Sequence, residues 1–201
     1  MKASRRPKQA RSRDTYEKLV AMAQEVLEEV GIEGFNSNLI VERLGMTPPA
    51  FYRYFPNKYA LLTELGERLM AVQNELIENF EVRTDGTKKQ FIEDVSGITR
   101  ATVEVTRQFR GGYALLVSLR AIPELRPVRL NSHEKMAKIN AENMRKMGFA
   151  DKEDILISKS RMLIEIGYGA MELLFETGFK NEQIIIESVA KAHAGILGLN
   201  D

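Results

Sequence analysis

The side chains of this 201-residue chain best suited to engage a partner lie close together: Thr47, Pro49, Ala50, Tyr52, Arg53 and Tyr54. They comprise one guanidinium, three hydroxyls and two small apolar groups. Such a set has no nucleophile and base at catalytic spacing, and its chemistry is recognition. Hydroxyls and cations donate to phosphate oxygens, while small and basic side chains touch base edges. The same stretch is unusually aromatic. Of the chain's nine Phe and six Tyr, five fall between Phe51 and Tyr59. A helix beginning at Pro48 explains the arrangement. Thr47 suits an N-cap, proline is tolerated at the first helical positions because their N–H groups lack partners anyway, and Pro56 ends the helix. Helical periodicity then puts Pro48, Phe51 and Phe55 on one side, Pro49, Ala50 and Arg53 on the opposite side, and Tyr52 and Tyr54 on the flanks.

A helix this short needs a neighbour to bury Phe51 and Phe55. Residues 38–44 supply one, with Leu39, Ile40 and Leu44 as apolar positions and Gly45 placed to close the helix in a left-handed conformation. Two short helices joined by a tight glycine turn make a helix-turn-helix, whose second helix enters the major groove of DNA. There Pro49, Ala50 and Arg53 face bases, and Thr47, Tyr52 and Tyr54 reach the backbone. Upstream, residues 14–30 carry Leu19, Ala23, Val26, Leu27 and Val30 at helical spacing, and Gly31 stops that helix.

The run Gly31, Ile32, Glu33, Gly34, then IVERLGMT from Ile40 to Thr47, then Phe51, Tyr52, Arg53, Tyr54, Phe55, Pro56, Asn57 and Lys58, then Leu61 and Leu62, resembles the DNA-binding domain of the TetR family of transcriptional regulators. It covers roughly residues 15–65. The resemblance implies an all-helical homodimeric repressor whose larger C-terminal domain binds a small molecule, with phosphate contacts from Thr47, Tyr52 and Lys58. Lys58 falls in the first turn of a helix capped by Asn57, where a cation opposes the helix dipole unless a phosphate is near. The chain departs from the family pattern at Phe35, Asn36 and Ser37, so that Asn36 or Ser37 takes over capping. It departs again at Pro48 and Pro49, where the family often has a glycine second.

Composition narrows the remaining classes. Hydrophobic residues make up 44% and charged residues 28%, as in ordinary soluble globular proteins, and the absence of cysteine removes disulfide and thiolate chemistry. No apolar run of membrane-spanning length and no secretory signal occurs, so a cytoplasmic protein without membrane contact is expected. The net charge of +1 conceals a basic start: Lys2, Arg5, Arg6, Lys8, Arg11 and Arg13 precede the first acidic residue, Asp14. Beside a DNA-binding head such an arm, residues 1–13, can lie along phosphates or enter a minor groove.

Beyond the head, an apolar stripe from Leu61 through Leu62, Leu65, Leu69, Val72, Leu76 and Phe80 defines a helix of five or six turns linking head and body. Breakers at Gly86, Gly111, Gly112, Pro123, Pro127, Gly148 and Gly178 then divide the chain into further helices. Asp151 is expected to cap a helix running to about Thr177 with Ile155, Leu156, Leu163, Ile166, Ala170, Leu173 and Leu174. Asn181 is expected to cap the last, with Ile184, Ile185, Ile186, Val189, Ala192, Ile196 and Leu197. Faces this broad exceed one intramolecular contact, so a homodimer through the last two helices is expected, with Gly167, Gly169 and Ala170 allowing close approach.

Catalysis finds little support. His133 and His193 are far apart, His133-Glu134 lacks the second histidine of a zinc-protease motif, and no phosphate-binding loop follows a strand, so no metal site, catalytic residue or cofactor is expected. An effector cavity among the middle helices could draw on Phe91, Phe109, Tyr113, Leu116, Met136, Met144, Met162, Tyr168 and Phe175, and Arg100, Arg107 and Arg120 are candidate partners for an anionic effector. The expected architecture is all-α with about nine helices: arm 1–13, helix-turn-helix DNA-binding domain 14–62, effector-binding and dimerisation domain 63–201. The expected function is a homodimeric ligand-responsive regulator, not an enzyme. It would bind a near-palindromic double-stranded DNA operator as a repressor, released by an unknown small apolar or amphipathic effector. The alternative is a helical small-molecule-binding protein or enzyme with a helix-turn-helix-like head.

Overall fold

The computed structural model of the chain describes residues 7, 9–79 and 86–199. Among the described residues there are nine helices and no strand: α1 (Ala10–Gly34), α2 (Ser37–Arg43), α3 (Pro48–Tyr52), α4 (Lys58–Glu78), α5 (Lys88–Gln108), α6 (Gly112–Ala121), α7 (Arg126–Lys146), α8 (Glu153–Glu176) and α9 (Glu182–Leu197). Lys2, Arg5, Arg6, Lys8 and Phe80 lie outside the described residues, whereas Arg11 and Arg13 sit in the opening turns of α1. That helix begins four residues before the expected start at residue 14, because Arg11, Ser12 and Arg13 of its first turn give no apolar signal. Gly31 breaks it at φ +62°, as expected of a glycine stop, and a single further turn carries it to Gly34. Among the described residues no helix is long and apolar enough to cross a membrane, and no group of three His, Asp or Glu could hold a metal ion.

The chain divides into two compact units. The first comprises Met1–Ala71 and Arg107–Arg129. Its core is aromatic: Tyr16 stacks on Phe55 at 4.9 Å between centroids, Phe51 lies 5.7 Å from Phe55, and all three are buried. Leu19, Val20, Ala23, Val26 and Leu27 of α1 and Leu61, Leu62, Leu65 and Leu69 of α4 complete it. Val30, expected on the same apolar face, is exposed because the helix breaks at the next residue. A Cβ at Gly66 would lie 2.8 Å from Leu119 and 3.3 Å from Val128, so the glycine lets α4 approach α6 and the start of α7 closely. The second unit comprises Val72–Thr106 and Leu130–Asp201. In it Ala141, Met144, Leu156, Leu163 and Leu197 form a buried cluster, with Phe91, Phe149, Ile157 and Ile196 packed against it.

Several helix ends follow from local sequence. Asn36 caps α2, its Oδ1 accepting from Leu39 N at 2.9 Å, and Asn57 caps α4, its Oδ1 accepting from Ala60 N at 2.9 Å. Phe35 and Ile40, both fully buried, occupy the positions of a hydrophobic staple around that first cap. The cap expected of Asp151 is not formed: α8 starts at Glu153 after Lys152, and the Asp151 carboxylate instead accepts from Lys159. Asn181 does precede α9, at φ +57° and without a side-chain cap bond.

Candidate functional site

The recognition surface rests on the buried pair Phe51 and Phe55. Thr47 stands at the N-cap of α3 without capping through its side chain, since Pro48 and Pro49 remove the first two donors and Ala50 N bonds to the Thr47 carbonyl at 2.9 Å. Its hydroxyl therefore stays on the surface beside Pro49 and Ala50. The α-helix ends formally at Tyr52, short of Pro56, yet Arg53 keeps helical angles and Phe55 N still bonds to the Phe51 carbonyl at 3.0 Å, so the turn continues under Arg53. The Arg53 guanidinium is exposed and has no hydrogen-bond or ion-pair partner among the described residues. Arg43, by contrast, is held by Glu29 at 2.7 Å, and that hydrogen bond raises its pKa.

Hydroxyls and a lysine flank this face. Tyr52 is 53% exposed, its ring edge-on to Phe51, and its hydroxyl lies 3.5 Å from Ser37 Oγ. Lys58 Nζ donates to the Phe35 carbonyl at 3.1 Å, which anchors the ammonium next to the start of α2 and leaves two of its protons for a further partner. Behind the head, Arg68 forms a two-pronged pair with Glu17 at 2.7 and 2.8 Å and also donates to the buried Glu64 at 2.9 Å. The hydrogen bond to Glu17, with the weaker one to Glu64, holds the guanidinium firmly charged against its partial burial. This network ties α1 to α4.

A second site lies in the other unit. A cavity of about 180 Å³ opens among α4, α5, α7, α8 and α9, walled mainly by aliphatic, methionine and aromatic side chains such as Ile98, Val103, Met144, Leu163 and Phe91. Its polar groups are Thr99, Thr102, Asn140, Asn143, Tyr168 and His193. Behind the wall, Tyr168 OH donates to Gln73 Oε1 at 2.7 Å, Gln73 Nε2 donates to Thr106 Oγ1 at 2.7 Å, and Thr106 Oγ1 donates to the Thr102 carbonyl at 2.7 Å. Gln73 belongs to α4 and is fully buried, so a cavity wall residue is hydrogen-bonded to the helix that begins at Lys58. Tyr168 also packs on His133 at 4.5 Å, whose Nδ1 lies 3.1 Å from Glu165.

The family model described as bacterial regulatory proteins, tetR family, matches residues 19–65. The head of the chain, over those residues, is a TetR-family DNA-binding region. There it is similar to the tetracycline repressor protein class C of Escherichia coli, 40% identical over 58 residues, or 29% of this chain and 26% of that protein. The class A tetracycline repressor from transposon 1721 is 42% identical over 53 residues, and the chain spans about a quarter of the length of these curated relatives. Among solved structures, a putative TetR-family regulator from Syntrophomonas wolfei aligns with a TM-score of 0.69 at 14% identity, over 93% of this chain and 97% of that one. A TetR variant from Acinetobacter baumannii in complex with minocycline aligns with a TM-score of 0.60 at 20% identity, over 90% and 93%. At such identities the likeness is one of fold.

Set against this TetR-family head, the expected contact residues separate into two groups. Thr47, Pro49, Ala50, Tyr52, Arg53 and Lys58 border one surface around α3. Tyr54 does not: it is 7% exposed, meets Tyr16 edge-on at 6.1 Å, and its hydroxyl pairs with Ser12 Oγ at 3.0 Å, a partner inside the protein where a phosphate was expected. Of the nine residues offered for a cavity, Phe91, Met144 and Tyr168 line it, while Met162 is exposed and Phe109, Tyr113 and Leu116 belong to the first unit. None of Arg100, Arg107 and Arg120 is a lining residue, and Arg100 donates to Gln183 at 2.8 Å. The residues missed are Gln73, Asn140, Asn143 and His193. Gln73 carried a signal, because it lies at helical spacing between Leu69 and Ile77 as a polar residue on the inward stripe of α4.

Proposed function

We propose that the protein is a homodimeric, ligand-responsive transcriptional regulator that represses by binding a near-palindromic operator and leaves it when a small apolar or amphipathic effector fills the cavity. One observation carries this reading: an exposed Arg53, without a partner among the described residues, beside Pro49 and Ala50 and rimmed by Thr47, Tyr52 and Lys58, on a helix clamped from behind by fully buried aromatic rings. In this reading Pro49, Ala50 and Arg53 meet base edges, and Thr47, Tyr52 and Lys58 meet phosphates. The functional divisions are the arm 1–13, the DNA-binding domain 14–62 and the effector and dimerisation domain 63–201. The likeness of the head to tetracycline repressors supports repression as the sense of regulation. The minocycline held by a protein of the same fold supports a cavity-bound effector.

Dimerisation uses α8 and α9. These helices pack on each other and leave Ile155, Met162, Leu173 and Ile184 exposed, the last to 65%. Apolar side chains so placed suit burial against the same helices of a second copy. The two heads must then sit about 34–36 Å apart, or a multiple of it, to meet successive major grooves. An effector works by binding more tightly to a state with another spacing, and it shifts the equilibrium only by that difference in affinity. The bond from Tyr168 to Gln73 gives α4 a direct stake in what occupies the cavity.

Selection from a pool of random duplexes at near-physiological salt, with sequencing of the bound fraction, tests the reading. Enrichment of a palindrome is the expected result. Salt-sensitive general binding with no enriched sequence would overturn it and return weight to a small-molecule-binding protein with a nonspecific head.

A further inference from the structure

The walls of the cavity restrict what can enter it. An apolar cavity of about 150 Å³ admits a benzene molecule, so one of about 180 Å³ holds a single substituted ring or a molecule of that size. Among the described residues, no Asp, Glu, Lys or Arg lines it. A charged ligand would give up its hydration there and find no counter-charge, a cost that excludes carboxylates and ammonium ions alike.

The polar groups narrow the choice further, because most of their protons are already committed. Thr99 and Thr102 donate their hydroxyl protons to the carbonyls of Val95 and Ile98, at 2.8 and 2.9 Å, and present only oxygen lone pairs. His193 Nε2 lies 3.0 Å from the Leu163 carbonyl, which can only accept, so that nitrogen carries the proton. Burial holds the imidazole neutral, with its pKa pushed down to about 4. Nδ1 is therefore a lone pair, and no hydrogen bond to it is formed by any described residue. Among the described lining side chains, donors remain only in the amides of Asn140 and Asn143 on α7.

We propose that the cavity takes an uncharged, ring-sized apolar molecule bearing a hydroxyl or N–H group, and that Nδ1 of His193 accepts that group's proton. This rests on the effector reading above and names the chemical class of the effector. Gly167 adds the room: a Cβ there would meet nothing within 4 Å, so its missing side chain forms part of the space the ring occupies.

Titration calorimetry on the full chain with three matched probes tests the class. 4-Propylphenol carries the donor, 4-propylanisole has it methylated, and 4-propylbenzoate is charged. The phenol is expected to bind about three- to tenfold more tightly than the ether, the benefit of one hydrogen bond, and the benzoate to give no measurable heat. His193→Phe should bring the phenol down to the affinity of the ether, and His193→Gln, whose amide oxygen still accepts, should restore part of the preference. Gly167→Met should abolish uptake of all three while the protein keeps its thermal transition. Binding of the benzoate as tight as that of the phenol overturns the proposal and leaves the effector reading standing. So does a phenol preference unchanged in both His193 variants. Uptake of none of the three overturns both.

Discussion

In the head, the buried rings of Tyr16, Phe51 and Phe55 pack on one another behind the recognition surface, and Gly66 lets α4 come close to α6 and α7. In the body, Gly167 and the two threonines leave room that no side chain fills, and the polar groups around it keep unspent acceptors. The difference follows from what each region must do. A surface that reads DNA needs its contact atoms fixed to fractions of an ångström, which a tightly packed aromatic base provides. A sensor needs an unfilled volume, and the dispersion energy that volume forgoes is returned only when a ligand enters. Substitutions that exchange the two conditions should therefore break each function in its own way.

The largest effect is expected from opening a gap in the head. Phe55→Ala removes a fully buried ring that stacks on Tyr16 and should cost about 3–5 kcal/mol of stability, with loss of operator binding at temperatures where the body stays folded. Chemical denaturation read by tyrosine fluorescence checks this. A loss under about 1 kcal/mol would mean that the packing contrast is not energetic.

Acid should weaken the body next. Folded His193 is pushed down to about 4 from an ordinary value of 6.5 by burial, opposed only by its bond to the Leu163 carbonyl. Between these values the unfolded chain binds a proton that the folded chain refuses, so stability is complete above about pH 6.5 and falls as pH drops toward 4. The loss attributable to His193 is about 2–3 kcal/mol. It is measured as the difference in pH dependence between the wild type and His193→Gln, which leaves the His133 and Glu165 pair common to both. Identical pH profiles would show that the imidazole titrates in the folded state as it does in water.

Contacts to DNA come third and fourth. Arg53→Ala should relax preference at one base pair by about 1–3 kcal/mol if the guanidinium reads guanine, seen as a broadened position in the selected palindrome. Uniform weakening with a lower salt slope would assign it to a phosphate instead. Tyr52→Phe should cost about 0.5–1.5 kcal/mol on every sequence alike, the value of one hydroxyl contact. Any change in base preference would place that ring on a base.

Much of the head was legible in the sequence, because its signals are local. Gly45 has the left-handed φ of +60° that its position required, Asn57 caps, and Phe51 and Phe55 are buried as helical periodicity demanded. Tyr54 was misplaced for a physical reason. A helical wheel assigns it a flank, and whether a flank is wet or dry depends on Tyr16 and Ser12, some forty residues away in the chain. The boundaries of the body's helices were equally readable from Gly148 and Gly178. Its cavity was not, because periodicity marks which face of a helix points inward and says nothing of whether the facing side chains meet. Large apolar residues were offered as cavity lining, when small residues make the space and polar ones make it selective.

The smallest expected effect separates the cavity from the subunit interface. Gly167 and Gly169 both lie within α8, and a Cβ on either would meet nothing within 4 Å in the single chain. On helix propensity alone each change to alanine should add about 0.5–1 kcal/mol. Gly167 borders the cavity, so Gly167→Ala should gain that amount at every protein concentration while slightly reducing the space for an effector. Gly169 is exposed on the helix proposed to meet its own copy. If the second subunit's backbone comes close there, Gly169→Ala should gain less, and the shortfall should shrink as dilution separates the subunits, since only the dimer feels the added methyl. Thermal unfolding across a hundredfold range of protein concentration resolves the two. Equal gains for both glycines at all concentrations would remove close backbone approach from the dimer and leave the exposed apolar side chains of α8 and α9 to hold the subunits together.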